Sequence, residues 1–199
     1  MTELIHQYLI QNGALEWLGV FTGILCVWLA AKNNIWNWPF AIISVAIYIF
    51  IFFETRLYAD MGLQFYFMVM NIYGWYYWSR KKNKAAQKSI TLMHKGEWIF
   101  AILSVTAFTI LLGFTLHRNT DASFPFIDSF CTACSLIGQF FLARRVLQNW
   151  LIWIFVDLIY VGVYCAKGLY PTAGMYALYI FIAYMGYKDW KMIYSEQKN

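Results

Sequence analysis

The chain has 199 residues, of which 61% are hydrophobic and only 13% are charged, and its formal net charge is +5. A soluble domain of this length could not bury so much apolar side chain, and the charges cluster between long apolar runs. The composition therefore excludes an ordinary soluble domain and indicates a protein that crosses a membrane several times.

Seven apolar segments follow one another along the chain, each with roughly the 17 to 25 residues that a bilayer requires. Because lipid cannot satisfy an open backbone, each segment is predicted to be a helix. The predicted fold class is an all-α polytopic membrane protein with seven transmembrane helices. The segments are 14–31, 36–53, 57–78, 98–116, 126–143, 149–165 and 169–187.

Lysine and arginine are distributed unevenly over the connecting segments: twelve of the 15 fall on one side of the membrane. By the positive-inside rule, the N-terminus is predicted outside and the C-terminus in the cytoplasm. The basic segment 79–96 becomes a cytoplasmic linker, whose charge is explained by topology and anionic lipid without nucleic acid. Residues 1–13 are predicted to be a polar surface segment without a cleavable signal peptide, and residues 191–199 a cytoplasmic tail.

The sequence also contains an internal repeat. A shift of 112 residues aligns residues 16–78 with 128–190 without a gap, and the matched residues include Asn-Trp pairs, tyrosines and glycines. This pattern predicts two three-helix repeats, 14–78 and 126–190, joined by a connector helix at 97–116. The extra helix lets both repeats have the same orientation in the membrane, and the seam between such halves is where transporters bind substrate.

One acid lies deep inside a predicted membrane segment. Asp157 is placed ~10 Å from the start of the sixth segment, and a charge at that depth costs about 2.5–3.5 kcal/mol. We expect it to face a polar cavity, or else to be protonated or bound by an Asn, Gln or Tyr of a neighbouring helix. Trp150, Trp153, Tyr160 and Tyr164 recur around it at steps of three and four residues, which gives one aromatic face.

Two further stripes of polar and aromatic residues lie on the third and fifth segments. Amides inside such segments often form hydrogen bonds between helices, but three stripes together predict a pocket with aromatic walls, amides and one anion. Such a pocket suits a small ligand with an aromatic ring and several hydroxyl groups. The predicted substrate-binding residues are Gln64, Phe67, Asn71, Gln139, Trp150, Trp153, Asp157 and Tyr160.

The sequence gives little support for a metal site, a cofactor or an enzyme. Cys131 and Cys134 form a C-x-x-C pair, but no second cysteine pair exists and the three histidines lie in terminal or loop segments. The two cysteines are therefore interpreted as small packing residues. A membrane-embedded enzyme would need clustered titratable groups, and the segments offer one deep acid and no histidine.

Several blocks of the sequence carry a resemblance to a known family. They are WNWPF at 36–40, RLYADMGLQ at 56–64, NIYGWYYWSR at 71–80, FPFIDS at 124–129, NWLIWIFVD at 149–157 and KGLY at 167–170. With these blocks the chain resembles the PnuC family of nicotinamide riboside transporters. The resemblance implies a three-one-three arrangement of helices similar to that of SWEET sugar transporters. It also implies uptake of nicotinamide riboside, an NAD precursor, across the bacterial inner membrane by facilitated diffusion with alternating access.

The resemblance also implies roles for the predicted site residues. Aromatic faces such as Trp150 and Trp153 would hold the pyridinium ring, and Gln64, Asn71, Gln139 and Asp157 would bind the ribose or the carboxamide. The family accepts Asn as well as Asp at position 157, which weakens a strict counter-ion role. A related vitamin or nucleoside carrier, for example one for thiamine, stays open as the alternative. The expected partners are the substrate and the lipid bilayer, and the oligomeric state is left open, a homotrimer being one arrangement.

Overall fold

The computed structural model describes residues 14–54, 56, 58–80, 89–120 and 124–197. These residues form seven α-helices, as predicted. The predicted surface segment 1–13 and residues 81–88 of the predicted linker lie outside the described residues. The helices are α1 Ala14–Ala31, α2 Asn37–Glu54, α3 Tyr58–Ser79, α4 Lys95–Asn119, α5 Pro125–Ala143, α6 Asn149–Ala166 and α7 Tyr170–Glu196.

Four of the described helices, namely α2, α4, α5 and α6, are long and apolar enough to cross a membrane, and α1 contains the shorter apolar stretch Trp17–Ala31. The predicted class, a polytopic all-helical membrane protein, is confirmed at this level. Helices α3 and α7 are rich in tyrosine and carry polar residues along their length. Membrane crossing by α1, α3 and α7 stays a prediction.

Two helices are longer than predicted. The connector α4 extends beyond 97–116 at both ends, and its start is capped because the backbone N–H of His94 donates to Glu97 Oε2 at 3.0 Å. The last helix continues to Glu196, so most of the segment 191–199 that was predicted to be a tail is helical. Neither glycine nor proline occurs after residue 190 to end the helix earlier.

The chain divides into two compact units, Met1–Gln87 and Lys88–Asn199. In the described part of the first unit, α1 packs on α2 and α2 packs on α3. In the second unit, α4 packs on α5, α5 on α6, and α6 on α7. The connector helix therefore belongs to the same compact unit as the second predicted repeat.

The repeat is visible in local backbone geometry. The turn before α2 contains Asn33 with φ 51°, and the turn before α6 contains Arg145, 112 residues later, with φ 58°. At the start of α2, Asn37 Nδ2 donates to the carbonyl three residues earlier at 2.6 Å. At the start of α6, Asn149 Nδ2 makes the same bond at 2.7 Å. Matched residues thus build matched turns.

The ends of α2 and α6 repeat in the same way. After α2, Arg56 has φ 59°, and at the matching position Gly168 has φ 72°. The N–H of each donates to the carbonyl three residues earlier, at 3.2 and 3.0 Å. A left-handed conformation costs an arginine about 1–2 kcal/mol that glycine does not incur. The shared turn is therefore kept even where the residue type disfavours it.

A tryptophan packed on a glycine joins the second and third helices of each repeat. In the first unit the Trp38 ring occupies the space where a Cβ of Gly74 would lie, and it meets Trp78 edge to face at 5.2 Å. The arrangement recurs in the second unit, with a ring separation of 5.5 Å, in Trp150, Gly186 and Trp190. We call these groups the tryptophan–glycine seams; all four indoles are buried.

The start of α6 is held by a short segment that precedes α4. The backbone N–H of Thr91 donates to Arg145 O at 3.0 Å, and Thr91 O accepts from Leu147 N–H at 2.8 Å. The side chains of Gln148 and Gln197 accept two more bonds from N–H groups of this segment, at 3.0 and 3.2 Å. The linker end, the α5–α6 turn and the end of α7 are therefore tied together within the second unit.

The seams predict which glycines tolerate a side chain. Gly74→Ala and Gly186→Ala each place a methyl group into a buried indole, so we expect each to destabilise the protein by about 1–3 kcal/mol. Gly62→Ala and Gly174→Ala are the matched controls, because nothing lies within 4 Å of an added Cβ there. Helix propensity makes the controls neutral or up to about 1 kcal/mol more stable.

Thermal unfolding of the four variants in detergent measures this difference. Lower midpoints are expected for the two seam variants alone. A common midpoint for all four variants would contradict the seams as packing determinants.

Candidate functional site

Helix α6 carries the acid at the centre of the predicted site. Asp157 is 5% exposed, and its neighbours on the same helix face are Trp153 and Tyr160. Within the described residues of the second unit, no side chain donates a hydrogen bond to the Asp157 carboxylate. A buried carboxylate without a donor is costly to the fold. The helices of this unit thus leave its hydrogen-bonding capacity to a ligand.

Trp153 lies against α5, the helix that packs on α6. A Cβ built on Gly138 would be 3.3 Å from the Trp153 indole nitrogen, so the missing side chain lets the indole approach the α5 backbone. The ring is half-buried and keeps an accessible part. A glycine at 138 therefore positions Trp153 one turn from the acid on α6.

The predicted polar stripe on α5 is largely engaged in the fold. Ser135 Oγ donates to Cys131 O at 2.9 Å, which satisfies the hydroxyl within its own helix. Gln139 is buried and also has an interaction partner. Asp128 lies in the first turn of α5, where a carboxylate stabilises a helix terminus. Of this stripe, Gln139 is the residue that lies beside the glycine under Trp153.

Trp150 belongs to the second tryptophan–glycine seam. Its ring is 1% exposed and lies on Gly186, with Trp190 edge to face. The matching Trp38 packs in the same way in the first unit, where no acid follows it on the helix. Packing of α6 on α7 thus accounts for Trp150 by itself.

Tyr160 is part of a group of tyrosine rings between α6 and α7. Its hydroxyl group forms a hydrogen bond with the Thr132 side chain of α5. Its ring lies 5.9 Å from Tyr164 and 4.9 Å from Tyr176, centroid to centroid. Sequence reasoning missed Tyr176, although the repeat offered a signal: the residue 112 positions earlier is Gln64, one of the predicted site residues.

The three predicted residues of the first unit share one face of α3. Gln64 and Phe67 are half-buried, and the Phe67 ring meets Tyr66 at 5.8 Å. Asn71 is 2% exposed and has an interaction partner. The steps of three and four residues bring the three side chains to one side of the helix, as the sequence predicted.

The described residues contain no group of three His, Cys, Asp or Glu side chains that could hold a metal ion. Cys131 and Cys134 are buried free thiols that pack with Val156 of α6. This position agrees with their interpretation as packing residues. The chemistry of the site is accordingly that of one carboxylate, amides and aromatic rings.

Comparisons with known proteins agree with this architecture. The chain matches the family model described as nicotinamide mononucleotide transporter over residues 13–192. It is 31% identical to the nicotinamide riboside transporter PnuC of Escherichia coli (strain K12), with 88% of this chain and 84% of that protein covered. It is also 26% identical to the riboflavin/roseoflavin transporter RibM of Streptomyces davaonensis, with 94% and 87% covered.

A solved structure shows the same fold. The crystal structure of the vitamin B3 transporter PnuC superposes with a TM-score of 0.73 at 20% identity, covering 98% of this chain and 88% of that chain. The family resemblance expected from the sequence blocks is confirmed by these matches. The chain belongs to the nicotinamide mononucleotide transporter family.

Proposed function

We propose that this protein carries nicotinamide riboside across the membrane by facilitated diffusion with alternating access. The observation that carries the proposal is the buried Asp157 carboxylate, flanked on its helix by Trp153, in a chain that belongs to a transporter family. A relative with 31% identity is a nicotinamide riboside transporter.

The chemistry of the site fits this substrate. Nicotinamide riboside has a cationic pyridinium ring, a carboxamide and a ribose. An indole face attracts such a cation by about 0.5–2 kcal/mol, and a carboxylate within the same face adds charge attraction. Amide side chains pair with hydroxyl groups and with a carboxamide, which gives roles to Gln64, Asn71 and Gln139. Phe67 and Tyr160 complete the aromatic walls.

The proposed transport path follows from the repeat. Matched turns and matched tryptophan–glycine seams support two three-helix repeats, with α4 as the connector that gives both the same orientation. Alternating access then arises from movement of one repeat against the other. The excess of Lys and Arg on one side of the predicted membrane segments supports a C-terminus in the cytoplasm of a bacterial cell, with the carrier in the inner membrane.

A carrier for another vitamin is the second candidate. The 26% identity with a riboflavin/roseoflavin transporter favours it, and thiamine shares a cationic ring with nicotinamide riboside. The isoalloxazine ring of riboflavin is uncharged and does not call for a buried anion. Asp157 therefore favours a cationic substrate.

Uptake into proteoliposomes tests the proposed function. Labelled nicotinamide riboside should equilibrate across the membrane without any ion gradient, and unlabelled riboside should compete better than thiamine, riboflavin or uridine. Accumulation that requires a proton gradient would contradict facilitated diffusion. Competition by riboflavin alone would identify the second candidate instead.

Substitution of the acid tests its role. Asp157→Leu removes both charge and hydrogen-bond acceptors, so we expect affinity for nicotinamide riboside to fall about 10- to 100-fold, the range for a charged hydrogen bond. Asp157→Asn keeps the shape and one acceptor and should lose less. Calorimetry in detergent measures both, with Asp60→Asn, an exposed acid at the start of α3, as the control. Equal affinity in all variants would refute the assignment.

The two tryptophans of α6 should respond differently. Trp150→Leu empties the seam against Gly186, so its main effect should be a loss of stability of about 3–5 kcal/mol. Trp153→Leu removes the half-buried ring beside Asp157, so its main effect should be a loss of affinity. Unfolding midpoints and riboside affinities of both variants separate these effects. A loss of affinity confined to Trp150→Leu would reverse the two roles.

A further inference from the structure

A stack of three tyrosine rings lies between Asp157 and the end of α6. We call Tyr160, Tyr164 and Tyr176 the tyrosine stack. Tyr164 and Tyr176 are nearly parallel, with an interplanar angle of 14° and a centroid separation of 5.3 Å. Tyr160 is tilted by 31° to Tyr164 and by 35° to Tyr176. All three rings are only partly buried.

The matching positions of the first unit show which part of the stack the fold requires. Tyr48 and Phe52 of α2 lie 5.8 Å apart at 33°, almost the geometry of Tyr160 and Tyr164 at 5.9 Å and 31°. The third position differs, because Gln64 corresponds to Tyr176 across the shift of 112 residues. One unit therefore forms with a glutamine where the other has a third ring. Packing of the repeat does not by itself demand Tyr176.

Hydrogen bonds hold the rings of the stack in place. The Tyr160 hydroxyl is bonded to the Thr132 side chain, and the side chains of Tyr164 and Tyr176 are hydrogen-bonded to each other. These bonds satisfy hydroxyl groups inside an apolar bundle, and they fix the ring planes. A fixed set of near-parallel rings presents an electron-rich face to a flat guest.

Charge completes the pattern. Asp157 lies close enough to Tyr176 for an electrostatic interaction, and it shares one helix face with Tyr160 and Tyr164. Aromatic faces beside a carboxylate attract a planar cation more strongly than a neutral ring of the same shape. Neither the aromatic rings nor the acid alone would give this preference.

We infer that the tyrosine stack, through Tyr164 and Tyr176, is a specificity-determining site that selects substrates with a positively charged ring. The inference rests on the proposed function and adds residues and a selection rule to it. The cationic ring of the substrate stacks on these tyrosines at the end of the unit beyond Asp157. Gln64 gives the corresponding position of the first unit no such preference.

Two ligands that differ in ring charge test this inference. Nicotinamide riboside is the cationic ligand, and its reduced dihydro form is the uncharged one. Tyr176→Gln installs the residue of the matching position, and we expect it to weaken binding of the cation about tenfold while changing binding of the reduced form less than about twofold. Tyr176→Phe keeps the ring and should stay within about twofold of the unmodified protein for both ligands.

Controls separate recognition from folding. Tyr184→Gln makes the same change at an exposed position of α7 and should alter neither affinity. Tyr164→Leu is the second ring-removing variant; it should reproduce the selective loss if Tyr176→Gln does not fold. Unfolding midpoints accompany every affinity measurement.

The outcomes are distinct for the inference and for the proposed function. Equal weakening of both ligands by a folded ring-removing variant, or no weakening of either, overturns the inference and leaves the proposed function in place. Failure of the unmodified protein to bind nicotinamide riboside overturns the proposed function, and the inference falls with it.

Discussion

The contact of a tryptophan with a glycine on the next helix is the interaction on which the rest of each unit depends. In the second unit, Trp150 lies on Gly186 and thereby sets how α6 is rotated against α7. At 100° per residue, Trp153, Asp157 and Tyr160 then point within an arc of about 80° from Trp150. Trp153 reaches Gly138 of α5 at the same time. The acid consequently faces the space between the two helices that flank α6, where a ligand can reach it.

The repeat supplies this scaffold twice, but it supplies the chemistry once. The positions of the first unit that match Asp157 and Trp153 are Val45 and Ala41, which are buried and apolar. Conversely, Asn71 of the first unit matches Ala183 of the second. Residues that agree across the shift of 112 build turns and seams, and residues that differ carry charge, amides and aromatic rings. A carrier with one substrate site needs this division, because two identical half-sites would place two acids in the bundle.

Much of the fold could be predicted from the sequence, because apolar runs and repeated turn residues have local causes. Side-chain roles were harder to predict. Helical spacing puts Trp150 on the same face as Asp157, and periodicity cannot distinguish a ring that packs on α7 from one that faces a ligand. Its match with Trp38 was the better signal, since a shared residue indicates scaffold. The pairing of Thr91 with the α5–α6 turn uses backbone groups and therefore leaves no pattern in the residues.

A carrier must bind its substrate firmly enough to remove water from it and weakly enough to release it. A single buried carboxylate suits a cationic ring, because the attraction in a low dielectric offsets the desolvation of both charges. A rigid cage of several acids would hold a cation too firmly for rapid release. One acid with partly exposed rings gives graded, separable contacts instead, each worth about 0.5–2 kcal/mol for an aromatic face. Loss of one ring contact at a time then allows the substrate to leave without a large barrier, which is the requirement of transport down a gradient.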